Sequence, residues 1–203
     1  DEKFILSSGH AGLGLYVVLE SRGGRNAEEV YDEHGVHPDE CKKCGLYCST
    51  GSLGHGLPIG VGMAMARKLK KKPGRIFVLM SDGECQEGTT WESLMLASHN
   101  KLDNLTIIID RNNLQTLGTT EEILGLEPFK QKLVAFGLDV QEINGHSFPD
   151  IIKALNKKSK GKSVAIIAKT IKGKGVSYME NTSGWHTMIP NEEQFKQAME
   201  ELS

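Results

Sequence analysis

Asp82 and Asn112 are the residues of this chain whose types and spacing point most directly to chemistry, because each stands just past an apolar run, "RIFVLM" (75–80) and "NLTIIID" (104–110). The separation from 82 to 112 is about that of one strand, helix, strand unit, which sets neighbouring parallel strands side by side. Ligands of such sheets sit beyond the carboxyl ends of the strands. A carboxylate, an amide oxygen and a backbone carbonyl are hard ligands suited to Mg²⁺ or Ca²⁺, and Mg²⁺ is usually completed by phosphate oxygens of a bound molecule. Gly83, in "SDGECQEG", lets backbone come close to such an anion. A metal-diphosphate site follows. In the plainer reading Asp82 opens a turn and "DRNN" is only a polar loop, since Asp-Gly after a strand is common. Two such tips in one repeat favour the metal.

The elements that must hold these tips form a repeated βαβ pattern. Runs 75–80, 104–110, "LDVQEI" (138–143) and "SVAIIAKT" (163–170) are mostly apolar on both faces, as parallel strands covered on each side are. Helical patterns separate them. "TTWESLMLASHN" carries Trp91, Leu94, Met95 and Ser98 at helical spacing, "EPFKQKLVAFG" stops at Gly137, and "FPDIIKALNKKSK" follows. Upstream, "GLPIGVGMAMARKLKKK" reads as a helix entered through a glycine-rich turn. The expected fold is a single α/β domain over 1–203 with a doubly wound, mostly parallel sheet and helices on both faces. "KKSKGK" (157–162) reads as a solvated turn.

A net charge of −2 provides no global basic field for nucleic acid or an anionic membrane. No apolar run approaches the roughly 20 residues that span a bilayer, and a cytoplasmic protein is expected. The chain opens at "DEKFILSSGH" without an initiator Met, so an upstream segment is expected to be missing. Cys41, Cys44 and Cys48 lie in "HPDECKKCGLYCS" behind His37, with Cys85 far away. Thiolates and imidazole suit zinc or an iron–sulfur centre. The second C-x-x-C of a zinc ribbon is absent, however, and reduced cysteines in a loop are the expectation.

The wording around the two tips resembles the thiamine diphosphate enzymes, whose signature is G-D-G and, some two dozen residues on, N-N; here Ser81 replaces the first glycine. Within them it resembles transketolase: "SSGHAGLGLY", "HPDE", "STGSLGHGLPIGVGMAMA", "SDGECQEGTTWESLMLASHNKLDNLTIIIDRNNLQ" and "GKGVSYMENTSGWH" occur in the transketolase order. Five ordered motifs are specific together. The resemblance implies that Asp82, Asn112 and the carbonyl of Leu114 hold Mg²⁺, for which Ca²⁺ or Mn²⁺ substitutes. It implies that Gly83 and Glu84 contact the diphosphate and that Gly51, Ser52 and Leu53 lie along the cofactor. It further implies that His10, His37 and His186 line the cofactor and the reacting end of the sugar, His186 touching both, and that Glu87 couples cofactor sites across a contact between subunits.

Imidazole titrates near working pH, which suits proton transfer during ketol transfer, while the cofactor itself delocalises the negative charge. In the family a second domain holds the aminopyrimidine, and this chain stops short of one. The resemblance therefore implies the amino-terminal, diphosphate-binding subunit of a split transketolase. A separate carboxy-terminal subunit would complete an α2β2 assembly, or a homodimer contact, that moves a two-carbon ketol unit between sugar phosphates. A transketolase-like enzyme of a specialised sugar pathway and a non-catalytic binding module are the alternatives. His55 and Thr187 stand where the family more often has Gln and Gly, which bears on the acceptor sugar.

Overall fold

The computed structural model describes residues 1–203. Five parallel strands form one sheet in the order β1 (Lys3–Leu6), β2 (Ile76–Ser81), β3 (Leu105–Arg111), β7 (Val164–Lys169), β6 (Asp139–Asn144). A two-stranded antiparallel ribbon, β4 (Leu114–Gln115) with β5 (Gly118–Thr119), follows β3. The helices are α1 (Gly12–Ser21), α2 (Ala27–His34), α3 (Gly56–Leu69), α4 (Gly88–His99), α5 (Thr120–Leu124), α6 (Phe129–Ala135), α7 (Phe148–Asn156) and α8 (Glu192–Glu201).

Alternation along the central strands sorts the helices. Ile76, Val78 and Met80 of β2, Leu105, Ile107 and Ile109 of β3, and Ala165 and Ile167 of β7 form one core with Leu57 and Val61 of α3, Leu94 and Ala97 of α4, and Phe129 and Leu133 of α6. The opposite pleats, Ile108, Val164 and Ile166, meet Ala154 of α7. The chain passes from β3 to the far edge at β6 and then steps back to β7, and α7 within that return lies on the opposite face, so the expected helices on both faces are found. The α1–α2 hairpin encloses a small separate core of Tyr16, Ala27, Val30, Cys44 and Leu46.

Three expectations need adjusting. The run 138–143 is not apolar on both faces: β6 is an edge strand, and its Glu142 pairs with Lys130 and Lys169. On α4 the buried face is Thr90, Ser93, Leu94 and Ala97, whereas Met95 is exposed. Cys41 and Cys44 are joined as a disulfide rather than lying reduced in a loop, because a short helical turn over Lys42–Cys44 folds the second sulfur back onto the first; Cys48 and Cys85 are free.

Close packing of α3 on β2 depends on Gly60, where a methyl group would lie 2.4 Å from Cγ2 of Val78. Overpacking of this kind typically costs about 1–3 kcal/mol, so Gly60→Ala is expected to lower the urea midpoint by a corresponding amount without changing the unfolding slope.

Candidate active-site cleft

All five strands run the same way, so the ends of β1, β2, β3 and β7 open onto one rim. A cavity of ≈ 520 Å³ lies there, and its wall includes His10, Leu53, Asp82, Gly83, Asn112, Leu114 and His186. Residues separated by up to 180 positions (Leu6 to His186) are thereby brought together. Outside this wall lie His37, Gly51, Ser52, Glu84 and Glu87.

Asp82 is completely buried. Its Oδ2 accepts the Asn113 N–H at 2.8 Å and Arg111 Nη1 at 3.3 Å, while its Oδ1 has no partner. A buried carboxylate oxygen without a donor is costly unless something charged completes it. Burial pushes the Asp82 carboxyl above its ordinary range, opposed by the Asn113 N–H and the Arg111 charge. Arg111 is itself fixed by Thr120 Oγ1 at 2.6 Å, Glu121 at 2.9 Å and Glu127 at 3.1 Å.

Asn112 is oriented by Asp110, whose Oδ2 accepts its Nδ2 at 2.9 Å, so that Oδ1 is the free-lone-pair side and accepts the Leu114 N–H at 2.9 Å. Asp110 is held from the other side by the Thr170 hydroxyl. The donor set of Asp82, Asn112 and the Leu114 carbonyl is all oxygen, and with the orphaned Oδ1 it fits a divalent cation of the Mg²⁺ type. A methyl group on Gly83 would meet only the Gln115 side chain, at 3.4 Å or more, so the fold itself does not demand glycine there. Approach of a ligand is what would.

Glu84, expected against the diphosphate, has no free edge toward the cleft. It is fully buried; Oε1 accepts Ser7 Oγ (2.5 Å) and Gly54 N (3.1 Å), and Oε2 accepts Ser8 Oγ (2.7 Å) and Ser81 N (2.8 Å). It thereby clamps the end of β1, the glycine-rich turn and the tip of β2, the segments that carry His10, Leu53 and Asp82.

Gly51 has φ 145°, and a side chain on it would strike the His37 ring at 2.8 Å, so the exposed His37 packs against this turn, off the cavity wall. Ser52 is exposed, and its hydroxyl lies 3.3 Å from His55 Nδ1, which also approaches the Leu53 carbonyl at 3.0 Å. His55 and Thr187 are both off the cavity wall. Glu87 is exposed at the start of α4.

His10 and His186 face each other with ring centroids 4.8 Å apart. Lys172, which no sequence motif marks, also lines the cavity and lies 3.4 Å from His186 Nδ1. An ammonium can only donate, so Nδ1 accepts and the neutral ring carries its proton on Nε2. Burial lowers both imidazole pKa values, with Lys172 adding to the shift of each and Glu84 opposing it at His10. The folded state thus binds these protons less readily than the unfolded chain, and stability falls as pH drops below about 6.5. Lys172→Met is expected to raise the titration midpoint of His186, followed by the imidazole proton resonances; an unmoved midpoint would show that Lys172 does not act on that ring. The one signal for Lys172 is its place just past the apolar run 163–170, where a lone lysine among several ("KTIKGKGV") does not stand out.

The family described as "Transketolase, thiamine diphosphate binding domain" matches residues 1–203. The chain is 44% identical over 210 aligned residues to an apulose-4-phosphate transketolase subunit of Phocaeicola vulgatus, covering 100% of this chain and 74% of that protein. It is 38% identical over 209 residues to a 6-deoxy-6-sulfo-D-fructose transketolase subunit of Clostridium sp. (strain MSTE9), covering 99% of this chain and 76% of the relative. Among solved structures, a transketolase from Campylobacter jejuni superimposes with a TM-score of 0.91 at 33% identity, covering 98% of this chain. The chain spans only 34% of that protein's length.

Proposed function

This chain belongs to the transketolase family, through its thiamine diphosphate binding domain, and from that premise we propose that it is the amino-terminal subunit of a two-chain transketolase that binds thiamine diphosphate through Mg²⁺. The observation that carries the reading is the unpartnered, buried Oδ1 of Asp82 in a cleft shared with Asn112 and Leu114. Asp82, Asn112 and the Leu114 carbonyl would hold the ion, with Gly83 beside the diphosphate. Bound there, thiamine diphosphate would supply the electron sink for cleavage of a ketose C–C bond.

The protein's own residues supply positioning and proton control. With Lys172 at its Nδ1, His186 carries its proton on Nε2, a donor suited to a sugar hydroxyl or a developing alkoxide. His10, whose ring is tilted against it, is kept neutral by burial and can accept or donate. His37 packs against the Gly51 turn. Glu87, exposed and beside that turn, is suited to a contact between subunits.

The cleft is open on one side, and Leu53 and Leu117 at its wall are 39% and 89% exposed. Apolar residues at the mouth of a polar cleft favour a covering partner, which here would be the carboxy-terminal subunit. The substrates we infer are anionic sugars. The two subunit relatives carry names that specify a sugar phosphate and a sulfonated sugar, and a specialised sugar rather than a common pentose phosphate fits this pattern.

The test is reconstitution. The isolated chain is expected to show no ketol transfer, and mixing it with the completing subunit, thiamine diphosphate and Mg²⁺ is expected to restore it. Full activity of the chain alone would overturn the two-chain reading, and reconstitution unaffected by chelation of divalent cations would overturn the role of the ion.

A further inference from the structure

A second cluster of ligating side chains lies away from the cleft, in the α1–α2 hairpin. His34 ends α2, and its Nε2 is 3.6 Å from Cys44 Sγ, while Cys44 is linked to Cys41. One ligand atom from each of His34, Cys41 and Cys44 falls within 4.8 Å of the others. None of the three lines the cavity at the strand ends.

The backbone around the two cysteines is already arranged to carry sulfur charge. Cys41 is extended and pairs with Leu46 through two hydrogen bonds of 3.0 Å, and Gly45 takes a left-handed conformation (φ 80°) that lets the chain turn back for that pairing. The Cys44 N–H donates to Cys41 Sγ at 3.2 Å, and Arg25 Nη1 donates to Cys44 Sγ at 3.5 Å. Cys44 and Leu46 are buried with Tyr16, Ala27 and Val30. Donors aimed at both sulfurs favour thiolates, and two thiolates with an imidazole are a zinc donor set rather than one for Mg²⁺ or Ca²⁺.

We propose that the reduced pair Cys41 and Cys44, together with His34, forms a structural zinc site. A dithiol reductant opens the Cys41–Cys44 bond: two electrons and two protons pass to the sulfurs while the reductant closes its own disulfide. Zn²⁺ then displaces the two thiol protons and takes Cys41 Sγ, Cys44 Sγ and His34 Nε2, with the fourth position left to water or to Glu33, whose Oε1 is 4.0 Å from that nitrogen. The ligand set differs from the one the sequence suggested. His37 turns toward the Gly51 turn, and Cys48 packs against the main core, so neither joins the cluster. The segment between His34 and Cys41 includes His37, so the metal would fix the stretch from which His37 supports the cofactor turn.

The full chain, reduced by a dithiol and dialysed, is expected to retain about one zinc per chain by elemental analysis. Co²⁺ in place of zinc should produce thiolate charge-transfer absorption in the near ultraviolet, and zinc should protect Cys41 and Cys44 from alkylation while Cys48 reacts as before. His34→Gln should weaken zinc binding by about tenfold or more, Cys44→Ser should abolish it, and Cys48→Ala should leave it unchanged. Because Cys44 is buried and its replacement can unfold the small core, the cobalt and alkylation measurements on the unaltered chain decide the matter. Reduced protein without the charge-transfer band or without zinc-dependent protection overturns the proposal, as does zinc retained by a folded Cys44→Ser chain.

Discussion

Asp82→Asn is expected to leave the protein folded while weakening Mg²⁺-dependent thiamine diphosphate binding by at least about a hundredfold, the upper range seen even for outer-shell changes at metal sites. The asymmetry of the two carboxylate oxygens makes the separation possible. Oδ2 is the structural oxygen, accepting from Asn113 N and Arg111. An asparagine oxygen can take its place, and Arg111 keeps Glu121 and Glu127 as charged partners. The amide nitrogen then falls where Oδ1 was and turns two donor hydrogens toward the cation position. Calorimetric titration of cofactor with and without Mg²⁺, in the presence of the completing subunit, measures the loss. Unchanged affinity in a folded Asp82→Asn protein would place the ion elsewhere.

A second substitution is expected to act through the fold instead. Glu84→Ala removes the acceptor of three serine hydroxyls and two backbone N–H groups in a fully buried setting. Each buried donor left without a partner costs about 1–3 kcal/mol, so a loss of at least about 3 kcal/mol is expected even with partial relaxation. The isosteric Glu84→Gln is nearly as informative. Ser7 and Ser8 can rotate their hydroxyls to accept, but Gly54 N and Ser81 N cannot. Each of these fixed donors meets a different carboxylate oxygen, so either orientation of the amide sets N–H against N–H. A cost of about 2 kcal/mol or more is expected for the Gln variant by urea unfolding. A Gln variant as stable as the parent would show that the clamp is not rigid, and would remove the argument that Glu84 positions His10, Leu53 and Asp82.

The sheet is legible in the sequence because its central strands are short apolar runs set between amphipathic helices, and the runs mark four of the five strands to within a residue or so. β1 escapes because "KFIL" is only four residues long and gains its strand identity from pairing with β2. Two further elements, α1 and α2, also carry weak signals: α1 has apolar residues all round, with Leu13, Val17 and Val18 exposed, and α2 is mostly polar. Lys172 escapes because its importance depends on the turn that follows β7, and nothing in a run of lysines and glycines marks which one returns to the cleft.

What the amino-acid order settled was the kind of chemistry available: oxygen ligands at two strand tips thirty positions apart (82 to 112), glycines in the turns, and histidines in the motifs, all local in sequence. Tertiary structure alone decided how these groups divide their labour. Burial and partner geometry left one oxygen of Asp82 free and consumed both of Glu84. The same folding set His186 and Lys172 on the cleft wall while leaving His37 exposed against the Gly51 turn, and drew His34 rather than His37 to the cysteine pair. A side chain's chemical type travels with the chain, but whether its lone pairs are free, and in what dielectric, depends on neighbours that only long-range packing brings within reach.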